Sequence, residues 1–407
     1  MNIYMIGIGG IGISALAQLY VVRGNRVTGS DRDSGPTTEM LEKKGIPVII
    51  GQKAENVPAD AELVVYSDAI HPDHPERARS TELGIRQISY FMALGEVSRG
   101  CTAIAVAGTH GKTTTTAMLT KILVDAGKNP TAIIGSLVKD FGGNFVAGDP
   151  NLFVVEACEY KDHLLELKPK VLVVTNMEWD HTDWFKTEEQ MLVTFKRAMD
   201  AVPKDGAVIT ASEYKKEPAF ELQLIGEFNK DNARAAAAGA KAAFPDITDA
   251  QIAASLKSFQ GTWRRFEHKG TTESGALVYD DYAHHPTAIR ETLMAVRKKF
   301  PKHKIAVAFH PHLYSRTRDL MDGFARAFDE ADSVLIAPIY AAREAPLQGA
   351  SAEVMEAKIN MVKPSLARAL PTLDAIESAL RRETDKDWLI ITMGAGDIYK
   401  VADRLVL

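Results

Sequence analysis

The stretch AIAVAGTHGKTTTTAML, residues 103–119, leaves the chain few architectures to choose from. Ala103 to Val106 is an apolar run of buried-strand length, Gly108-Thr109-His110-Gly111 is a tight turn, and Lys112 with four threonines opens a helix. Strand, glycine turn and helix in that order make a phosphate cradle. Glycines let backbone N–H groups crowd an anion, and the helix N-terminus adds its dipole. The lysine supplies a point charge, and the next hydroxyl, on Thr113, can reach a magnesium ion. The general pattern has another glycine where Val106 stands, so this is a shortened variant. Such a joint belongs at the carboxyl edge of a mostly parallel sheet.

A second glycine loop lies at the start of the chain. Gly7-Ile8-Gly9-Gly10-Ile11-Gly12 follows the apolar run 2–6 and opens a helix over 11–23. The next strand, over 26–29, leads to Asp31, where a carboxylate can bond a ribose hydroxyl. This loop reads as a site for a nucleotide or a nucleotide-sugar diphosphate, with Gly7, Gly9, Gly10, Ile11, Gly12 and Asp31 around it. A nicotinamide dinucleotide would suit the same loop, but an oxidoreductase has no use for the second phosphate cradle.

Strand-like and helix-like stretches alternate along all 407 residues and lapse twice, at 97–102 and at 259–275. The lapses divide the chain into residues 1–99, 100–261 and 262–407. Each block reads as a strand–helix–strand series, which predicts three α/β domains with mostly parallel sheets. The first and third should be Rossmann-like and the central one P-loop ATPase-like. A net charge of −5 gives no support to a nucleic-acid or anionic-membrane partner. No apolar run is long enough to cross a bilayer, and the start MNIYMIGIGGIGIS lacks the charged first segment of a signal peptide. Two cysteines, Cys101 and Cys158, are too few for a disulfide framework, which fits a reducing compartment. The expected location is the cytoplasm.

Polar residues gather where strands end. Glu156 and Glu159 follow the run NLFVV, and Asn176, Glu178, Asp180, His181 and Asp183 follow KVLVV. Magnesium prefers oxygen ligands, so Thr113 with Glu156 is a candidate pair for one ion and His181 a candidate for a second. Asn229 and Asn232 share one face of an alanine-rich helix. In the last block, Asp280, Asp281, His284 and His285 follow one strand, and His310, His312, Arg316 and Arg318 follow another. Arginines there suit bidentate capture of carboxylate or phosphate. The pair His310 and His312 suggests zinc only if a third ligand is near, and the sequence offers none.

Taken in order, GIGGIG, GTHGKTTTT, EACE, TNMEWDH, GEFNKDNARAA, WRRFE, DDYAHHPT, HPHLYSRTRDL and GAGDIY resemble the Mur ligases of peptidoglycan synthesis. The resemblance spans all three blocks and is strongest with the alanine-adding branch. It implies that the first loop holds the UDP part of UDP-N-acetylmuramate and the second holds ATP. The implied reaction phosphorylates the lactyl carboxylate, and the amino group of L-alanine then displaces phosphate. By matching motif, the ATP-binding residues are Gly108, Thr109, His110, Gly111, Lys112, Thr113, Thr114, Asn229, Asn232, Arg265 and Asp281. Thr113, Glu156 and His181 would hold Mg2+, and His312 and Arg316 the amino acid. Lys112, Glu156, His181, Arg265 and Asp281 would form the catalytic set. Two positions depart from common patterns: Cys158 stands where many members have aspartate, and Leu313 where some alanine-adding members have arginine. A related recycling ligase adds a whole tripeptide to the same sugar, but HPHLYSRTRDL matches the alanine-adding branch better.

Overall fold

The computed structural model describes residues 1–342 and 344–406. They form two compact units. One comprises residues 1–178, 191–223 and 231–260; the other comprises 179–190, 224–230 and 261–407.

The first unit contains two sheets. Strands β1 (Asn2–Ile6), β2 (Arg26–Asp31), β3 (Val48–Ile50), β4 (Leu63–Tyr66) and β5 (Arg86–Ser89) pair in the order β3-β2-β1-β4-β5. All four pairings are parallel. The order reverses direction at β1, so the crevice beyond its carboxyl end is a topological switch point, and Gly7 begins there. The next sheet uses β6 (Thr102–Ala107), β7 (Pro130–Val138), β8 (Gly143–Val146), β9 (Asp149–Glu156), β10 (Val171–Val174) and β11 (Ala207–Ile209). Their order is β11-β10-β6-β9-β7-β8, and only the β7–β8 hairpin is antiparallel.

Strand β6 is central, and its run Ala103–Ala107 is fully buried. In the helix Glu227–Ala243, Ala233, Ala235, Ala236, Ala237 and Ala240 are fully buried. A Cβ on Gly239 would lie 2.7 Å from the side chain of Val173 on β10. The alanine-rich composition is thus a close-packing device.

The second unit holds β12 (Glu267–Thr271), β13 (Leu277–Asp281), β14 (Lys304–Phe309), β15 (Ser333–Ile336), β16 (Ala367–Ala369) and β17 (Trp388–Met393). They pair in the order β12-β13-β17-β14-β15-β16, with only β12–β13 antiparallel. Three mostly parallel α/β sheets therefore stand as the sequence predicts. Two details differ. Strand β2 runs on to Asp31, and the second aperiodic stretch contains β12, whose polar sequence EHKGT sits at a sheet edge and shows no apolar alternation.

The helix that follows the first glycine loop, Ile11–Val22, packs against β7 and β8 of the next sheet. Asn144 on β8 is fully buried and donates to Ile11 O at 2.6 Å and to Ser14 Oγ at 2.8 Å. Its Oδ1 accepts from Gln18 Nε2 at 3.1 Å, and Gln18 Oε1 accepts from Lys44 Nζ at 2.6 Å. This polar stitch ties the first loop's helix to the second sheet. Asn144→Leu keeps the branched shape but leaves Gln18, Ser14 and the Ile11 carbonyl without that partner. It should cost roughly 1–3 kcal/mol in denaturant unfolding, and a loss under about 0.5 kcal/mol would show the stitch to be dispensable.

Candidate active site

At the first loop, β1 and β2 run side by side, so the end of β2 meets the turn after β1. Gly7 N and Ile8 N both donate to Ser30 O, at 2.8 and 3.0 Å. Gly9 N donates to Asp31 Oδ2 at 2.8 Å, and Thr37 Oγ1 donates to Gly9 O. Asp31, read from sequence as a ribose ligand, is placed as a brace on the loop's own backbone. Gly10 caps the helix, and Ile11 and Gly12 form its first turn. A Cβ on Gly12 would lie 2.6 Å from the ring and hydroxyl of Tyr90, a neighbour that sequence reading did not find.

The second loop is held from beneath by the segment after β10. Thr109 Oγ1 donates to Glu178 O at 2.6 Å and accepts from Glu178 N at 2.9 Å. His110 N donates to Asn176 Oδ1 at 2.9 Å, and His110 Nε2 lies 3.0 Å from Glu178 Oε2. Asn176 and Glu178, grouped in sequence with acidic strand-end residues, therefore shape the loop. Gly108 and Gly111 have φ of 129° and 80°, and a Cβ on either would strike Thr175 Oγ1 or Asn232 Oδ1 respectively. Asn232 thus packs directly on the loop.

Lys112 opens the helix Lys112–Asp125 and folds its ammonium back over Gly108 O and Thr109 O. Glu159 receives it with both oxygens, at 3.1 and 3.0 Å, and is itself fully buried. Burial acts to lower the Lys112 pKa, but Glu159 and then Cys158 and Glu156 hold it above its ordinary value. Thr113 Oγ1 donates to Glu156 Oε2 at 2.8 Å, and a Cβ at Gly135 would collide with the same carboxylate. One hydroxyl and one carboxylate at hydrogen-bond distance, with a glycine opposite, form an oxygen set that suits magnesium. Thr114 is buried one position further along the helix.

In the second unit the strand ends of β13, β14 and β17 carry the polar groups. Arg316, in the helix Tyr314–Asp319, is 2% exposed, and its Nε donates to Asp180 Oδ1 at 2.7 Å. Its Nη1 lies 3.0 Å from His312 Nδ1, and the His312 ring stacks on Tyr340. Burial works against ionised Asp180, but the Arg316 guanidinium holds its carboxyl well below the usual range. Asp180 Oδ1 also accepts from His181 N at 2.7 Å, and His181 has a left-handed φ of 53°. Beside this group is a cavity of about 590 Å³ lined by Trp179, Thr182, Lys186, Ser315, Arg318 and Glu344, among others. Leu313, the departure noted in the sequence, is 1% exposed with a φ of 68°.

His310 and His312 serve different neighbours. The His310 ring lies against Gly396, and burial lowers its pKa to about 4. His284 is likewise held well below its ordinary value, first by burial and then by Arg316. Asn229 donates from Nδ2 to Ile225 O at 2.7 Å near the start of its helix.

Asp281 ends β13 and accepts Phe266 N and Ala283 N, each at 2.7 Å. The Arg265 guanidinium lies 5.0 Å from the Tyr282 ring. Neighbouring Arg264, to which sequence reading gave no role, is buried and bonded to Asp280.

Two glycine loops, each between the end of a parallel strand and the start of a helix, and a third sheet whose strand ends bear basic and acidic groups describe a nucleotide-using ligase. The chain belongs to the Mur ligase family. Residues 2–101 match the model described as Mur ligase family, catalytic domain; 106–218 match the middle domain, and 264–396 the glutamate ligase domain. More particularly, a UDP-N-acetylmuramate–L-alanine ligase of Lachnospira eligens is 36% identical over 454 aligned residues, taking in 100% of this chain and 98% of the relative. The crystal structure of a UDP-N-acetylmuramate–alanine ligase from Thermotoga maritima superposes with a TM-score of 0.81 at 26% identity, covering 100% of this chain and 98% of that one. A murein peptide ligase from Psychrobacter arcticus shares the fold, with a TM-score of 0.75 at 24% identity and coverage of 100% and 98%.

Asp281 generates a pH test. Burial raises its pKa from 3.8 to about 6, while Arg265 and the two backbone donors oppose the rise. A carboxyl with a raised folded pKa favours the fold most when protonated. That contribution is full below about pH 4 and is lost as pH rises through about 6. Asp281→Asn removes the titration, so its melting temperature relative to the parent should climb between about pH 4 and pH 7. A difference that stays flat across that window would mean Asp281 does not titrate there.

Proposed function

We propose that this protein joins L-alanine to the lactyl carboxylate of UDP-N-acetylmuramate, consuming ATP, in the assembly of peptidoglycan precursors. The observation that carries the reading is the second loop, where Lys112, Thr113 and Glu156 meet at the end of β6 and β9. The two loops then serve two nucleotides: Gly7 to Gly12 the UDP-sugar, Gly108 to Thr114 the ATP. We assign residues 1–99 to the sugar nucleotide, 100–261 to ATP and 262–407 to the amino acid. A cytoplasmic location fits two free cysteines and, among the described residues, no helix long and apolar enough to cross a membrane.

A carboxylate does not condense with an amine near neutrality, because oxide is a poor leaving group. Transfer of the γ-phosphoryl group to the lactyl carboxylate makes an acyl phosphate; the amine of alanine adds to its carbonyl carbon, and phosphate departs with the C–O bond. The protein's part is positioning and charge neutralisation rather than covalent catalysis. Lys112, kept charged by Glu159, meets the phosphates. Thr113 and Glu156 hold Mg2+, with His181 at a second ion, and the metal supplies neutralisation of phosphate charge when bound. Asn229, Asn232, Arg265 and Asp281 serve the nucleotide. Arg316, fixed at Nε by Asp180, presents its outer nitrogens with His312 to the alanine carboxylate.

Three measurements test this reading. Lys112→Ala should keep the fold and cut phosphate release by at least about 10²-fold, the scale for removing one preorganised charge. Near-normal turnover at saturating ATP would eliminate the role of that loop. Arg316→Lys should raise the KM for alanine well before that for ATP, since lysine cannot make paired hydrogen bonds. In competition between L-alanine and the murein tripeptide, the product should carry alanine; mainly tripeptide would move the protein to the recycling reaction.

A further inference from the structure

Arg264 is 4% exposed and spends its whole guanidinium inside the second unit. Nε donates to Asp280 Oδ2 at 2.8 Å, Nη2 to Gly394 O at 2.6 Å and Nη1 to Gly396 O at 3.2 Å. Asp280 is held in turn by Thr392 Oγ1 at 2.6 Å. One side chain therefore joins the end of β13 to the turn after β17.

The backbone around it is strained. Arg264 and Phe266 have φ of 60° and 46°, a region that costs energy for any residue with a Cβ and persists only where the surroundings over-determine it. The determinants are visible. Arg264 O accepts Tyr282 N at 2.7 Å, Arg264 N donates to Glu267 Oε2 at 3.1 Å, and Phe266 N is captured by Asp281 at 2.7 Å. Between these two strained residues is Arg265. The two guanidiniums share one ring: Arg264 lies 5.2 Å and Arg265 5.0 Å from the centroid of Tyr282. One arginine points inward as an anchor and its neighbour stays partly exposed.

We propose that Arg264 is a positioning residue for ligation, pinning residues 264–266 across two strand ends so that Arg265 is presented to the nucleotide. The inference rests on the nucleotide role given to Arg265 above. Lysine at 264 keeps one charge for Asp280 but has no planar fork to span Asp280 and two carbonyls. The strap would then relax from its left-handed turns and Arg265 would shift. A displacement of about 1 Å in a group that orients substrate can cost roughly 10²-fold.

The experiment is a double-mutant cycle on phosphate release, with KM for ATP and calorimetric affinity for UDP-N-acetylmuramate measured on every variant. Arg265→Ala should slow ligation; if it does not, the nucleotide role of Arg265 fails and this inference goes with it. Given that loss, Arg264→Lys should lower kcat or raise the KM for ATP by about 10- to 100-fold, leave sugar-nucleotide affinity within about twofold, and add little in the Arg265→Ala background. An undiminished effect of Arg264→Lys in that background would make Arg264 merely structural and overturn the proposal. Thr392→Val, which strips one hydrogen bond from Asp280 and leaves Arg264 intact, should act in the same direction but less. Parental kinetics in both Arg264→Lys and Thr392→Val would also overturn it.

Discussion

Lys112 is bound at both ends of its reach: to the helix it starts, and to the carboxylate of Glu159 beneath its own loop. A lysine buried without a partner would lose its proton or pull the loop apart. The ion pair keeps it charged and folded over Gly108 O and Thr109 O. The geometry of Thr113 and Glu156 follows, because the same helix turn that carries Lys112 aims Thr113 at the end of β9.

The same solution recurs in the second unit. Arg316 with Asp180 and Arg264 with Asp280 are both buried ion pairs at strand ends, with side-chain exposures of 3% against 5% and 5% against 1%. Buried pairs return little net stability, since desolvation offsets much of their attraction. What they provide here is direction. Each arginine has further acceptors or neighbours that only a planar fork can reach together: His312 in one case, the carbonyls of Gly394 and Gly396 in the other.

Much of this was legible in the chain. Glycines at 108 and 111 demand left-handed backbone that a side chain would strain, and the run Ala103–Val106 can only be a buried strand beside them. Glu156 sits at a strand end one pairing away from β6, so its meeting with Thr113 followed from a parallel sheet. Less legible were residues whose partners are distant in sequence. Asp31 has the spacing of a ribose ligand, and its hydrogen bond from Gly9 N is a contact that spacing does not show. Strand β12 is polar because it is an edge strand, and polarity hides strands from periodicity.

Local order in the sequence determined the alternation of strands and helices, the two glycine loops and the residue types at each strand end, because these depend on backbone conformations and apolar periods within a dozen or so residues. Tertiary structure alone decided which of two adjacent arginines points inward, which carboxylate faces Lys112 and which acid holds Arg316. Those choices depend on register between strands far apart in the chain, and a hydrogen bond from Arg264 to Gly394 or from Arg316 to Asp180 spans more than a hundred residues that no local pattern encodes.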